Sequence, residues 1–540
     1  MVKHQQNIDT TKSESYIWVT SFLILCLSFS PLTFNFIWGN HDWLPLIQDS
    51  RLTSGLIEGR FSQYLLLKLL LMGKILPILN LVIGFMLYSI ALYCLSRYYF
   101  NYKTNKLPSA LFISTAVSMP HITEIVYFHF ITLSLLSWTL VIALSLIAMQ
   151  KAAEHHSVPW SLCGFALLFT AIGGYPGCIN MYVTAICCRL IQLHLTQQLT
   201  FRRLCKQVIP YAINFILAFG LLKITFDYLQ QKHLMMSMYN SQAATPLELI
   251  QKIPSILQAG ILGFTEIQPF LGTTFKSILT AIFITFILSA FQTSQKHTTK
   301  DLCITSILIL VLLISLKFSA WLTSNNTDNA FATFDPPTSM VRTDFYSYPI
   351  LILFCLFFIY EQKPQIVKNI SFVCASILLL TNINANLGFS KTHLFGFTSE
   401  NKLQERIINR LQSHPKYQTN NLYTVIQAGE ISLRSKFHQK QANEKYGYYT
   451  LNTPYSRHWI AFEYYNFYAP QDFVKEGTSI QPEDITPEMS RFLSTQMNTW
   501  PHPYSIYVDK DYAIISLTPE GKELLNNQFK LLHISPQSWR

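Results

Sequence analysis

The chain has 540 residues, of which 50% are hydrophobic and 13% are charged, and its formal net charge is +11. Its mean hydropathy of +0.25 is too high for a soluble protein of this length and is typical of a polytopic membrane protein. Nucleic-acid binding does not explain the basic excess, because no segment combines clustered basic residues with interleaved aromatic residues.

Long apolar stretches predict a mainly α fold, a polytopic transmembrane helical bundle. A helix needs about 20 apolar residues to cross a bilayer, and about eleven stretches qualify. The first is interpreted as a retained helix, because it lacks the small-x-small cleavage site of a signal peptide. The predicted spans are 16–38, 76–97, 108–127, 130–149, 160–175, 177–195, 208–228, 274–293, 302–322, 346–361 and 369–385.

Basic residues lie in alternate loops, as Arg97, Lys151, Arg203 and Lys296 illustrate. The positive-inside rule places those loops in the cytoplasm, together with the N-terminal tail 1–15. The remaining loops and the C-terminus are then expected on the outer face.

The first outer loop, 39–75, contains Asp42 a few residues beyond the first span. Sugar transfer from a phosphate-linked lipid needs a base for the acceptor proton and cations for the departing phosphate. Asp42 is the candidate base, although a capping or solvated aspartate is the simpler alternative. Candidate phosphate partners are Arg51, Arg60, Lys74 and, before a late span, Arg342.

Gly59-Arg60 predicts a turn within this loop, and residues 61–75 predict an interfacial amphipathic helix. A turn followed by an arginine that extends to the membrane surface is the simpler alternative for Arg60. The histidines have no metal-ligand spacing, so no zinc site is predicted.

The composition becomes polar and Tyr-rich after residue 386, and residues 386–540 are predicted to form a small periplasmic α/β domain. Its predicted elements are a helix at 399–411, a strand at 422–427 and a hairpin-like pair at 504–508 and 512–517.

Several motifs resemble those of the Gtr-type O-antigen glucosyltransferases, members of the glycosyltransferase C superfamily. The resemblance covers roughly residues 16–385 and is sharpest in the first outer loop. The motifs are Asn40-His41-Asp42-Trp43, Arg51, Ser54-Gly55, Gly59-Arg60-Phe61, Ile75-Leu76-Pro77, the segment 120–130 with Glu124 and Tyr127, Gly174-Tyr175-Pro176, and Met340-Val341-Arg342.

The resemblance implies an inverting enzyme of the bacterial inner membrane that moves glucose from an undecaprenyl-phosphate carrier to a surface polysaccharide such as O-antigen. This family usually has paired acids at the start of the loop, whereas His41 occupies the first position here. Asp42 alone would then be the base, Asp49 is a candidate second carboxylate, and a divalent cation is left open. The implied substrate-binding residues are His41, Trp43, Glu124, Tyr127 and Tyr175.

Three other functions stay open. A polysaccharide polymerase or ligase would use a lipid-diphosphate donor and a late outer loop such as the one with Arg342. A non-catalytic assembly protein would present the C-terminal domain and would need no organised first loop. A secondary transporter is the third alternative, but the sequence shows neither an inverted repeat nor an intramembrane charge pair.

Overall fold

The computed structural model describes most of the chain and forms two compact units. The helical unit extends to Ser390, and the second unit begins at Lys391. The described residues are 2–35, 56, 59–70, 76–102, 104–126, 129–197, 201–235, 244–265, 273–295, 299–322, 344–361, 364–429 and 485–534.

Helices dominate the helical unit. A π-helical turn, Leu95–Tyr99, follows the fourth helix, and 3₁₀ turns at Pro120–Ile122 and Pro176–Cys178 precede the sixth and ninth helices. The first ten helices are α1 (Val2–Ser28), α2 (Ser30–Thr33), α3 (Phe61–Leu70), α4 (Pro77–Cys94), α5 (Lys106–Val117), α6 (Thr123–Val126), α7 (His129–His155), α8 (Val158–Gly174), α9 (Ile179–Gln197) and α10 (Phe201–Gln231).

Six further helices follow in this unit. They are α11 (Pro246–Thr265), α12 (Thr273–Gln295), α13 (Thr299–Ser315), α14 (Phe318–Leu322), α15 (Tyr348–Glu361) and α16 (Gln365–Gln412), the last of which continues into the second unit.

Every predicted span lies wholly or largely in helix, and six helices among the described residues are long and apolar enough to cross a membrane. Apolar segments of Ser15–Ser28, Val158–Gly174 and Tyr348–Glu361 are shorter than this limit. The chain is therefore a mostly helical protein with the features of a membrane protein, and the count of about eleven spans stays a prediction.

Several helices differ from the prediction, and the predicted spans 108–127 and 302–322 are each divided into two α-helices. The predicted first span, 16–38, is divided, because α1 ends at Ser28 and the separate helix α2 contains Pro31. Helix α11 was not predicted, since its polar positions and Pro254 interrupt the apolar run. Helix α16 joins the predicted last span and the predicted helix 399–411 into one continuous helix.

Helix α15 is the centre of the helical unit. Each residue from Tyr348 to Ile359 is buried, which a helix with no polar face requires. Helices α5, α9 and α12 pack around it. The two residues before its N-terminal end, Tyr346 and Ser347, are buried as well.

The second unit contains a three-stranded sheet of β1 (Thr424–Ala428), β2 (Ile506–Val508) and β3 (Tyr512–Ser516) in the order β1-β3-β2. β3 pairs in parallel with β1 and antiparallel with β2. The strands lie where the sequence predicts them, with ends shifted by one or two residues. Helices α17 (Pro487–Arg491) and α18 (Pro519–Ile534) also lie in this unit, together with the C-terminal part of α16, a π-helical turn at Phe492–Gln496 and a 3₁₀ turn at Pro503–Ser505.

Candidate functional site

The structure describes two of the predicted site residues with their side chains, Arg60 and Tyr175. Glu124 lies in α6. The other predicted site residues lie outside the described residues: His41, Asp42, Trp43, Asp49, Arg51, Lys74, Tyr127 and Arg342.

Arg60 follows the turn that the sequence predicts. Gly59 has a φ of +76°, a left-handed conformation that glycine adopts without steric cost, and its amide donates a 2.9 Å hydrogen bond to the carbonyl of Leu56. Helix α3 begins at the next residue, Phe61, whose ring lies 5.4 Å from that of Phe169 on α8. The turn therefore fixes Arg60 at the start of a helix that packs against α8.

Two glycines at the end of α8 set the position of Tyr175. A Cβ at Gly173 would lie 2.2 Å from the ring of Phe61, and a Cβ at Gly174 would lie 2.1 Å from the ring of Trp138. Only glycine permits both rings to pack this closely. Tyr175 then leaves the helix in an extended conformation, with φ −157° and ψ 107°.

Arg60 and Tyr175 meet, although they are far apart in the sequence. The guanidinium carbon of Arg60 lies 5.2 Å from the centroid of the Tyr175 ring, within the range of a cation–π contact. Both side chains are half-buried. One face of the guanidinium is thus held against a ring, and such a stacked arginine can still bind a phosphate through its edge.

Two tyrosines extend this contact into the protein. The Tyr175 ring stacks on that of Tyr346 at 5.8 Å. Tyr346 is 1% exposed and donates a 3.0 Å hydrogen bond to the carbonyl of Leu135. We call Arg60, Tyr175 and Tyr346 the aromatic row.

A buried ion pair includes Asp344, which lies close in the sequence to Tyr346 of the aromatic row. Lys317 Nζ is 2.5 Å from Asp344 Oδ1 and 2.7 Å from Oδ2, and the two side chains are 4% and 5% exposed. The ring of Tyr348, at the start of α15, lies 5.9 Å from Lys317 Nζ. The ring of His121 stacks on the ring of Tyr348, and the two ring centroids are 4.9 Å apart.

This ion pair joins a residue inside a predicted span to one that lies outside the predicted spans, so the absence of a charge pair within the spans stays a prediction. Lys317 is a basic residue inside the predicted span 302–322, which by itself is a signal of function or pairing. Its partner Asp344 is outside that span, so the pair could not be identified before the fold brought the two residues together.

Among known proteins, the glucosyl transferase GtrII family matches residues 40–343 of the chain. The chain has no detectable match among the curated proteins. The family match covers more than half of the chain and includes the first-loop motif, Arg60, Tyr175 and Lys317. The protein therefore belongs to the GtrII glucosyl transferase family, as its first-loop motifs predict.

Proposed function

We propose that this protein is a membrane glucosyltransferase that moves glucose from an undecaprenyl-phosphate carrier to a surface polysaccharide such as O-antigen. The family supports glucosyl transfer, and the long apolar helices support a reaction at a bilayer. The outer face of a bacterial inner membrane is the proposed location, because the alternation of the basic loops along the chain predicts that the loops with the candidate residues face outward.

In the proposed reaction, Asp42 accepts the proton of an acceptor hydroxyl. The hydroxyl oxygen forms a bond to the anomeric carbon, the bond from that carbon to the phosphate oxygen breaks, and polyprenyl phosphate leaves with the electron pair. Attack opposite the leaving group inverts the anomeric configuration. Asp49 is the proposed second carboxylate, either as a helper of Asp42 or as a ligand of a divalent cation.

The developing negative charge on the phosphate requires cations. Arg60 is proposed to bind this phosphate, and Tyr175 is proposed to orient the guanidinium and to contact the sugar. Arg342 is a second proposed phosphate partner, two residues before Asp344 of the buried ion pair. Arg51 and Lys74 are further candidates from the same loop as Arg60.

The observation that carries the proposal is the aromatic row. It joins the first predicted outer loop to the turn between α8 and α9, and Tyr346 adds the segment before α15. The sequence predicts all three segments on the same face. Packing has therefore brought together Arg60 and Tyr175, which belong to separate motifs of the resemblance, so that a cation lies beside the half-buried ring that is proposed to contact the sugar.

Mass analysis of surface polysaccharide and polyprenyl-phosphate sugars, with and without the gene, tests the proposal. We expect a hexose to be missing from the polysaccharide of the deletion strain while its lipid carrier accumulates. Restoration by the intact gene, but not by the Asp42→Asn variant, would link the change to the proposed base. Shorter polysaccharide chains with unchanged hexose content would contradict the proposal and favour a polymerase.

A further inference from the structure

A polar cavity lies in the helical unit, and none of its lining residues belongs to the aromatic row. Its volume is about 230 Å³, and it opens between α7, α9 and α10. Most of the residues between Tyr175 and Arg189 belong to α9. At a rise of about 1.5 Å per residue, Arg189 lies about 20 Å from Tyr175 along the helix axis. The polar side chains that line the cavity are Tyr99, Gln150, Glu154, Arg189, Gln207 and Tyr211.

Nη1 anchors the guanidinium of Arg189. Nη1 donates to the carbonyl of Phe100 at 3.3 Å and to Oε1 of Gln192 at 2.7 Å. Within the part of the chain that the structure describes, Nε and Nη2 have no hydrogen-bond acceptor. A half-buried guanidinium with unused donors can bind a phosphate through two parallel hydrogen bonds.

The same cavity contains a carboxylate. Glu154 accepts a 2.8 Å hydrogen bond from Nε2 of Gln150, and it forms no ion pair with Arg189 although both residues line the cavity. A bound anion alone would be repelled by Glu154, and a bound cation alone would be repelled by Arg189. The two charges together favour a ligand that carries both signs.

An apolar groove adjoins the polar cavity at Leu190, which lines both. The volume of the groove is about 300 Å³. Its lining is made of α10 and α13 side chains that include Leu204, Val208, Ala212, Ile304, Ile307 and Leu308. A ligand that fills both spaces must have a charged head and a hydrocarbon tail.

We propose that this cavity and groove bind one zwitterionic phospholipid of the phosphatidylethanolamine type. Its phosphate binds to Arg189, its ammonium group binds to Glu154, and one acyl chain lies in the groove between α10 and α13. The site is at the end of the bundle that the basic loops assign to the cytoplasmic leaflet. This proposal does not depend on the proposed glucosyl transfer.

Lipid binding to the purified full-length protein tests the proposal. Phosphatidylethanolamine and phosphatidylglycerol with the same acyl chains are each titrated in detergent, and bound lipid is counted by native mass spectrometry. We expect one molecule of phosphatidylethanolamine to bind in preference to phosphatidylglycerol. Loss of the charge-assisted contact in Arg189→Gln is expected to weaken its binding about tenfold or more.

Three further variants separate the head-group and tail contacts. Glu154→Gln should remove the preference and allow phosphatidylglycerol to bind equally well. Ala212→Phe should weaken both lipids by filling the groove. Lys151→Gln is the matched control, because Lys151 lies on α7 over the Trp160 ring and does not line the cavity.

Glu154 and Ala212 are exposed, so these two variants test the site even if Arg189→Gln fails to fold. A wild-type preference for phosphatidylglycerol would overturn the zwitterionic assignment. Equal binding by wild type, Glu154→Gln and Ala212→Phe would overturn the site itself.

Discussion

Asp42 is the residue on which the proposed chemistry depends most. Asparagine keeps the size and the carbonyl acceptor of aspartate, so Asp42→Asn should leave expression and membrane insertion unchanged. An amide cannot accept the acceptor proton, and a positioned base contributes about a hundredfold to ten-thousandfold. We therefore expect the initial rate of sugar transfer in isolated membranes to fall by about that factor.

Asp49→Asn provides the comparison for Asp42→Asn. A mild loss of rate is expected if Asp42 alone is the base, and an equal loss is expected if the two carboxylates share the site or bind an ion. Near-normal turnover by Asp42→Asn would contradict the catalytic assignment of the first loop and favour the non-catalytic alternative.

Arg60 is the proposed phosphate partner with a described position, over the Tyr175 ring. Arg60→Ala should raise the KM for the lipid-phosphate donor about ten- to a hundredfold, because a charge-assisted contact is worth about 1.5 to 3 kcal/mol. Arg342→Ala should have a similar effect. Lys68→Ala is the control, since Lys68 is an exposed cation on α3 that contacts Tyr64. Unchanged donor kinetics in both arginine variants would refute their assignment.

The Lys317–Asp344 pair should stabilise the fold only while both partners are present. Asp344→Asn leaves a buried ammonium without its counter-ion, which typically costs about 3 to 5 kcal/mol. The Lys317→Met, Asp344→Leu double variant should recover much of that loss, because apolar replacement of a buried pair is often neutral. Thermal unfolding in detergent measures both effects. Equal midpoints for wild type and Asp344→Asn would show that the pair contributes nothing.

At the level of elements, the end of α8 determines whether Tyr175 can reach Arg60. Gly174→Ala would place a Cβ 2.1 Å from the Trp138 ring, and such overpacking costs about 1 to 3 kcal/mol. We expect lower thermal stability and reduced transfer, because the Tyr175 backbone must shift when Trp138 moves.

Gly220→Ala is the matched control for this prediction. Gly220 lies inside α10, and a Cβ there has no neighbour within 4 Å. Alanine at that position should be neutral or stabilising by up to about 1 kcal/mol. If the two glycine variants behaved alike, close packing at α8 would not be the cause of the effect.

At the level of the whole molecule, the positive-inside pattern predicts the orientation. Single cysteines introduced near Asp42, Glu266 and Lys510 of a cysteine-free protein should react with a membrane-impermeant reagent added from outside. Cysteines near Arg203 and Lys296 should react only after permeabilisation. Labelling near Lys510 only after permeabilisation would place the C-terminal segment in the cytoplasm and require a different span count.

The sequence by itself determined the class of the molecule and the family motif. Apolar runs of about 20 residues form helices in a bilayer whatever their neighbours are, because only a helix satisfies the backbone hydrogen bonds within one segment. The Gly59 turn and the strands β1 to β3 were also predictable, because glycine conformation and runs of β-branched and aromatic residues bounded by turn residues are local properties. Long helices with internal polar positions, such as α11 and α16, were not predictable from the sequence, since tertiary packing decides where such helices begin and end.

Only the tertiary structure decided which distant residues meet. Arg60 and Tyr175 were separate candidates until the packing of α3 on α8 placed one over the other. Lys317 and Asp344 became a pair only when the end of α13 approached the start of α15. Such contacts depend on close packing between helices, and periodicity along one helix specifies the buried face without specifying the partner.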